Sequence, residues 1–418
     1  IWFDTLLTQR TSITKRFRVY NQHENAVLFD EIKLGKGSLS DFHLTINGEA
    51  GYAFENLQLN GKDSLLILLS STIDPQNKEN PYLIKDSVLF RWNENIHDVK
   101  LIAWGQDAYF HPKGYICNEN WLPGKAHVIL DTLVVDKNCL LQIDAGSQVL
   151  FDKNAALFVL GKLEVRGDSG RRVTFRNTRF DQAYKEAPGQ WDAIYFLEGS
   201  TGNLIDFAVI ENARIGLRIG TPDQDTLPDV TVKHTIIRHI SQSGIQAFTS
   251  DVSVENSLIY NAGKSIVFHA AGGNYAYNHC TFVNTPSFFV VDEPACQFAD
   301  NLIRDKSVLT FPLSVEITNS ILWSGNSESD LLFSITDSTN NFIRISNNII
   351  FSQFSVTGNT TSDNHLFPIF QHPFSFDFRL DSISPARNVG MPSGLKDDLN
   401  GMPRDTKPDL GAIEWRQD

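Results

Sequence analysis

The chain is short of cations, of cysteine, of methionine and of long apolar runs. Its 418 residues carry 36 Lys+Arg against 49 Asp+Glu, a net charge of −13, and no basic run interrupts the acidic excess. A grip on phosphate backbones needs clustered Lys and Arg, so no nucleic-acid partner is expected. Apolar runs such as Leu65–Leu69 stop far short of the roughly 20 residues of a membrane span. The chain starts at Ile1 with neither Met nor a signal segment. The expectation is that an export signal or lipid anchor has been trimmed away, and that any membrane attachment runs through it. Four cysteines do not make a disulfide scaffold, so the count leaves the compartment open. His-Glu-x-x-His, Cys-x-x-Cys and Asp-x-Asp-x-Asp-Gly patterns are missing as well, and no metal site is expected from motifs.

Hydrophobic residues make up 41% of the chain, with 29 Phe and only 2 Met. That supply is enough for a large core and suits stacked strands better than helices. Residues 1 to about 110 read as short strands, among them Phe17–Tyr20, Ala26–Phe29, Phe42–Ile46, Leu65–Leu69 and Ser87–Phe90. They are separated by turn signals at Asn47-Gly48, Asn60-Gly61-Lys62-Asp63 and Asp74-Pro75-Gln76-Asn77. Such spacing, with Asn-Gly as a hairpin mark, predicts a β-sandwich.

From about residue 115 the chain repeats. Phe207, His234, Asn256, His279, Asp300, Asn319 and Asn347 open aligned copies, and subtracting successive numbers gives intervals of 27, 22, 23, 21, 19 and 28. A turn of about 22 residues built only of short strands is the signature of a right-handed, single-stranded parallel β-helix, its coils about 4.8 Å apart. Equivalent positions then stack, and the Asn/His column reads as a turn ladder. Asn tolerates left-handed dihedrals, and its amide can bond to the next coil. The ladder is preferred to a catalytic role for His234 and His279. The expected layout is a sandwich over 1–110, coils over 111–383, and a capping or tail segment over 384–418, with the sandwich and tail shielding the two open strand ends.

The run Leu141-Gln142-Ile143-Asp144-Ala145-Gly146 through Phe151, followed by Leu157–Gly167, resembles the opening coils of secreted bacterial β-helix proteins of the pectate-lyase-like superfamily. Gly189-Gln190-Trp191-Asp192-Ala193-Ile194 is similar to their Gly-x-Trp-x-x-Ile element, and Ser384–Gly390 with Pro408–Glu414 to the terminal segment of such surface proteins. The first 110 residues resemble the immunoglobulin-like module that precedes the β-helix in lipoproteins of Gram-negative gut bacteria. The resemblance implies an exported protein of the cell surface or periplasm, an outer-membrane lipoprotein, with a polysaccharide or cell-surface glycan as partner. Fold does not fix function.

A lyase in this superfamily would need a base and a cationic partner on one face, and a hydrolase two carboxyls about 5 to 9.5 Å apart. Glu211, Arg238 and Tyr260 take equivalent places on successive copies and are the catalytic candidates. A solvated face of alternating charges explains them equally well. Trp191, Arg218, His239 and His269 are the ligand-binding candidates, against the plainer readings of a buried Trp and turn histidines. Asp397, Asp398, Asn400, Asp405 and Asp409 offer oxygens for Ca²⁺, though a loop packed by its own side chains is preferred, and no cofactor is expected. Cys117 and Cys139 are one period apart and are either a cross-coil disulfide or two buried small residues. The insertion Thr178–Gly189 breaks the rhythm and is expected to flank any ligand groove. The preferred function is a non-catalytic glycan-binding, scaffold or adhesion protein. The alternative is a polysaccharide lyase or glycoside hydrolase acting on acidic polysaccharide.

Overall fold

A computed structural model describes residues 1–220, 229–285, 289, 291–304, 307–324, 328–352 and 367–417. The chain divides into two compact units, Ile1–Tyr109 with Phe180–Gln182, and Phe110–Arg179 with Ala183–Asp418. Both are all-β, and no α-helix occurs among the described residues.

The first unit is a β-sandwich of a five-stranded and a four-stranded sheet. Strict alternation builds it. In Ser64–Ser71 the odd residues Leu65, Ile67 and Leu69 are buried while their neighbours are half-exposed, and the strand pairs antiparallel with both Lys15–Tyr20 and Phe42–Ile46. Asn47 and Gly48, at φ 52° and 85°, close the hairpin from Phe42–Ile46 to Glu49–Gly51. Two successive left-handed residues are what a tight hairpin demands, and Asn-Gly supplies them at least cost.

The second unit is the right-handed parallel β-helix. Its sheets grow by one strand per coil in constant register, so each core column is one position repeated. Val149, Phe175, Ile210, Ile237, Ile259, Phe282, Leu322 and Ile350 form one such column. Leu157, Ile194, Leu217, Ile245, Val267, Cys296 and Leu331 form another. All of these residues are buried. At about 1.5–3 kcal/mol per large apolar side chain removed from water, a few such residues per coil are the main favourable term. The long strands Ile245–Glu255 and Val267–Asn278 bend across a corner and fuse the second and third faces into one sheet.

The Asn/His column forms where expected except at the weaker copy Asp300, which stands outside it because the coil after His279 runs on to Asn319. Phe207, His234, Asn256, His279, Asn319 and Asn347 all take left-handed backbone, with φ from 44° to 60°. Parts of the side-chain ladder are direct, with Asn347 Nδ2 donating to Asn319 Oδ1 at 2.8 Å and Phe207 stacked on His234 at 4.2 Å. Cys117 and Cys139 are joined by a disulfide across adjacent coils, with Cα atoms 4.8 Å apart.

Two parts of the expected layout differ. Among the described residues the last strand paired into a coil is Ile349–Ile350 rather than one near residue 383. Phe370–His372 and Asp377–Leu380 instead form an antiparallel hairpin, whose Phe370, Phe378 and Leu380 pack on the outer flank against Leu258, Tyr260 and Ile349. Alternating apolar residues read the same whether they fill a coil or cover its outside. The tail is likewise a lateral strap, running back along the Asn/His column. The Val389 carbonyl accepts from Asn347, Met391 N–H donates to Asn319, Arg404 reaches Asn256, and the Leu399 carbonyl accepts from Arg172. The ladder's free amides are thus satisfied by the strap as well as by one another.

Candidate functional site

Glu211, Arg238 and Tyr260 do meet. Constant register pairs Glu211 with Arg238 and Arg238 with Tyr260 on successive coils. Arg238 Nε donates to Glu211 Oε2 at 2.8 Å and one terminal nitrogen to Tyr260 Oη at 3.1 Å, while Arg176 lies 3.6 Å from the other Glu211 oxygen. The Glu211 and Tyr260 ends of this row are covered, while the Arg238 side chain stays 34% exposed. Tyr260 is 3% exposed, stacked by Phe376 at 5.5 Å and packed by Phe378 at 5.0 Å. Burial works against the Arg238 charge, but Tyr260 and Glu211 outweigh it and hold the guanidinium above its ordinary range. Burial raises the Tyr260 phenol despite Arg238 beside it. A phenol held protonated under two Phe rings is a poor base at neutral pH, and the row acts as a cross-coil brace.

Three of the ligand-binding candidates are buried. Trp191 is 1% exposed, stacks face to face on Phe151 at 3.9 Å, and donates Nε1–H to the Glu211 carbonyl. His239 is buried edge-on to Tyr260 and Phe376, and burial, with Arg238 adding, pushes it down to about 3. His269 is fully buried, stacked on Tyr275 at 4.0 Å and bonded to the Tyr277 hydroxyl, and burial pushes it to about 3 as well. Two of the tail carboxylates are committed to the strap's own backbone, while Asp397 meets His234 Nε2 at 3.3 Å. Asp398 accepts from the N–H groups of Asn400, Met402 and Glu414, and Asp409 from those of Asn388 and Trp415. No group of three or more His, Cys, Asp or Glu placed to hold a metal occurs among the described residues.

Arg218 is the candidate that faces outward. It stands in the register row Phe158, Tyr195, Arg218, Gln246, Phe268 and Gln297, one residue per coil. Each of these is half-buried between fully buried neighbours, so the strands turn this row to solvent. Phe158 and Tyr195 stack at 4.5 Å with planes 3° apart, and the Arg218 guanidinium lies over the Phe248 ring at 3.8 Å. No ion pair joins Arg218 to a carboxylate among the described residues, and burial holds it below its ordinary range.

A second polar column borders this row at the corner of the coils. Backbone bonds run from Arg214 to Asp192, from Gln242 to Arg214 and from Lys264 to Gln242, fixing these residues on four successive coils. Arg214 Nε donates to Asp192 Oδ1 at 2.6 Å, Tyr195 Oη donates to Asp192 Oδ2 at 2.9 Å, and Arg214 also reaches Tyr195 Oη and Gln242. Burial and then Asp192 raise the Tyr195 phenol. The insertion from Thr178 ends directly at this column, with Gly189 and Gln190 N–H bonded to the Ala213 and Asn212 carbonyls. Asp192 and Tyr195 escaped the sequence reading because Trp191 drew attention in the same segment. The period-2 rule applied to Ile194-Tyr195-Phe196 would have turned Tyr195 outward.

Comparison with known proteins agrees on architecture. Residues 132–285 match the family model for the right handed beta helix region, less than half of the chain. No curated protein matches the sequence. Among solved structures, the catalytic domain of a GH87 alpha-1,3-glucanase in complex with nigerose aligns at 9% identity, over 84% of this chain and 91% of that one, with a TM-score of 0.16. So low a score adds nothing about function. The chain is similar to right-handed β-helix proteins by fold, and the site has to speak for the rest.

Proposed function

We propose that this chain is a non-catalytic glycan-binding or adhesion protein. Its glycan lies along the outward row Phe158, Tyr195, Arg218, Gln246 and Phe268. It is exported to the cell surface or periplasm as an outer-membrane lipoprotein, with an immunoglobulin-like sandwich. The observation that carries the reading is the row itself. Aromatic rings, a guanidinium and amides recur on successive coils, about 4.8 Å apart, a rise close to the length of one sugar ring. Aromatic faces take the apolar side of a sugar while amides and Arg take its hydroxyls. The Cys117–Cys139 disulfide supports export, since oxidising compartments maintain such bonds.

Cleavage is the less supported reading. The Asp192 carboxylate is bonded through both oxygens to Arg214 and Tyr195. In the register of this corner Asp131 stands two coils before Asp192, and Glu293, which holds Ser265 on the coil beyond that of Gln242, three to four coils after it. At about 4.8 Å per coil Asp131 lies about 10 Å and Glu293 about 14–19 Å from Asp192, at or beyond the upper end of the 5 to 9.5 Å of paired glycosidase carboxyls.

A glycan array probed with the purified chain tests the proposal. Tyr195→Ala and Arg218→Ala are expected to weaken the captured glycan tenfold or more, and Tyr260→Phe, under its roof, to leave it unchanged. A parallel incubation with pectin, alginate and glycosaminoglycans, with and without Ca²⁺, follows unsaturated and reducing-end products. Turnover abolished by Asp192→Asn or Tyr195→Phe would replace the binder with an enzyme.

A further inference from the structure

The strap and the flank hairpin border an open surface pocket of about 370 Å³, lined by Gln371, His372, Asp381, Trp415, Arg416 and Gln417 together with Ser382. No part of the lateral row contributes to it. Its lining joins one large aromatic to a dense set of donors and acceptors. Arg387 lies over one side of the Trp415 ring at 3.5 Å, and Arg387 does not line the pocket. The cation fixes the indole, which also packs against the apolar cluster under the strap, and the rest of its surface reaches the opening. Trp415 N–H is tied to Asp409 Oδ2, so the backbone at this point is anchored to the buried centre of the strap.

The polar groups around the ring are only partly used by the protein. Asp381 Oδ1 accepts from Ser382 Oγ and Ile383 N–H, both at 3.1 Å, and its Oδ2 makes no hydrogen bond among the described residues. Gln371 uses its amide nitrogen in a long 3.5 Å contact to the Leu380 carbonyl, which leaves its carbonyl oxygen to the pocket. His372, Arg416 and Gln417 are exposed. The lining thus offers a carboxylate oxygen, an amide oxygen, an imidazole, amide N–H groups and the Arg416 guanidinium, one nitrogen of which already donates to the Pro403 carbonyl, around one indole.

We infer that this pocket is a second carbohydrate site, one that takes a single neutral hexopyranose unit. The volume lies near the low end of ligand pockets, about 300–1,000 Å³, which suits one ring rather than a chain. One Asp and one Arg cancel in charge, so the lining does not select an anionic or a cationic ligand. Trp415 supplies the apolar platform for the C–H face of the ring. Asp381 Oδ2 accepts from sugar hydroxyls in charge-assisted bonds, about twice as strong as neutral ones. A chain-end residue bound here, beside a polymer bound along the coils, would give the protein two contacts with one glycan.

The test is calorimetric titration of the full chain with methyl gluco-, galacto- and mannopyranosides. At least one is expected to saturate. Asp381→Asn, which keeps the Oδ1 acceptor, should weaken it about tenfold, Gln417→Ala several-fold, and Trp415→Leu should abolish it, while Arg218→Ala on the lateral row changes nothing. Should Trp415→Leu fail to fold by circular dichroism, Asp381→Asn and Gln417→Ala decide alone. Failure of all three hexosides to bind, or binding indifferent to Asp381→Asn and Gln417→Ala, overturns the site. Binding lost only in Arg218→Ala would assign the sugar to the lateral row and overturn this inference while leaving the proposed function standing.

Discussion

Lowering the pH from about 7.5 to about 5 is expected to destabilise the β-helix through histidines that its fold buries in the neutral form. His127, His239, His269 and His279 are each pushed down from 6.5 to about 3, burial being the main cause, with His111 adding at His127, Arg238 at His239 and Arg404 at His279. The folded imidazoles stay neutral, while the unfolded chain takes up protons below 6.5. Stability is therefore whole above that value and falls as the pH drops from 6.5 toward 3. One pH unit is worth about 1.4 kcal/mol, so at about pH 5 each histidine costs about 2 kcal/mol and the four together about 8. That is comparable to the whole stability of many domains, about 5–15 kcal/mol. The Asp409 and Glu414 carboxyls, raised by burial, bind protons more readily folded than unfolded and trim the loss. His279→Asn isolates one contribution. Its column neighbours Asn256 and Asn319 hold the same turn at φ 47° and 51°, against 51° for His279, so Asn fits the backbone. The variant should lose about 1 kcal/mol at neutral pH from lost packing. Its stability difference between pH 7.5 and 5 should shrink by about 2 kcal/mol. Urea unfolding of both proteins, followed by circular dichroism across this range, measures it. A wild type equally stable at both ends, or a variant with an undiminished pH slope, would refute the reasoning.

Two further outcomes follow from the same structure. Arg404 and Glu414 are an ion pair with side chains each only 2% exposed, and Arg404 also donates to Asn256 and to the Gly411 and Ala412 carbonyls. Arg404→Leu should cost about 3–5 kcal/mol by leaving a buried carboxylate unpaired, seen as early proteolysis of the strap and a lower Tm, and a variant with wild-type Tm and protease resistance would remove Arg404 from that role. Replacing Cys117 and Cys139 by Ser opens a loop of separation 22 and should cost about 3 kcal/mol, with the reduced wild type behaving like the double variant in urea unfolding; equal midpoints for reduced and oxidised protein would contradict it.

The left-handed turns at His234, Asn256, His279, Asn319 and Asn347 were legible because each needs a residue type that tolerates positive φ, and the sequence repeats that type at the coil period. The Glu211–Arg238–Tyr260 row was legible for the same reason, since register follows from the period. Its roof was not. Phe376 and Phe378 stand more than a hundred residues further on, and no local pattern says that this hairpin folds back onto the coil that carries Tyr260. Trp191, His239 and His269 misled for a related reason. A large or titratable side chain at a coil corner looks the same in sequence whether it points into the stack or out of it.

What the sequence by itself determined is the repeat and everything that stacking enforces: parallel strands, core columns of one position per coil, the turn ladder, and the meeting of Glu211, Arg238 and Tyr260. These depend on interactions between positions one period apart, which periodicity encodes directly. What only the tertiary structure decided is which faces of the stack stay open. The strap and hairpin cover the flank that holds Tyr260 and the Asn/His column. The row through Tyr195 and Arg218 remains outward. That choice rests on contacts between segments up to 227 residues apart, such as Arg172 with Leu399, where burial of apolar surface and pairing of stranded polar groups are settled by the folded chain as a whole.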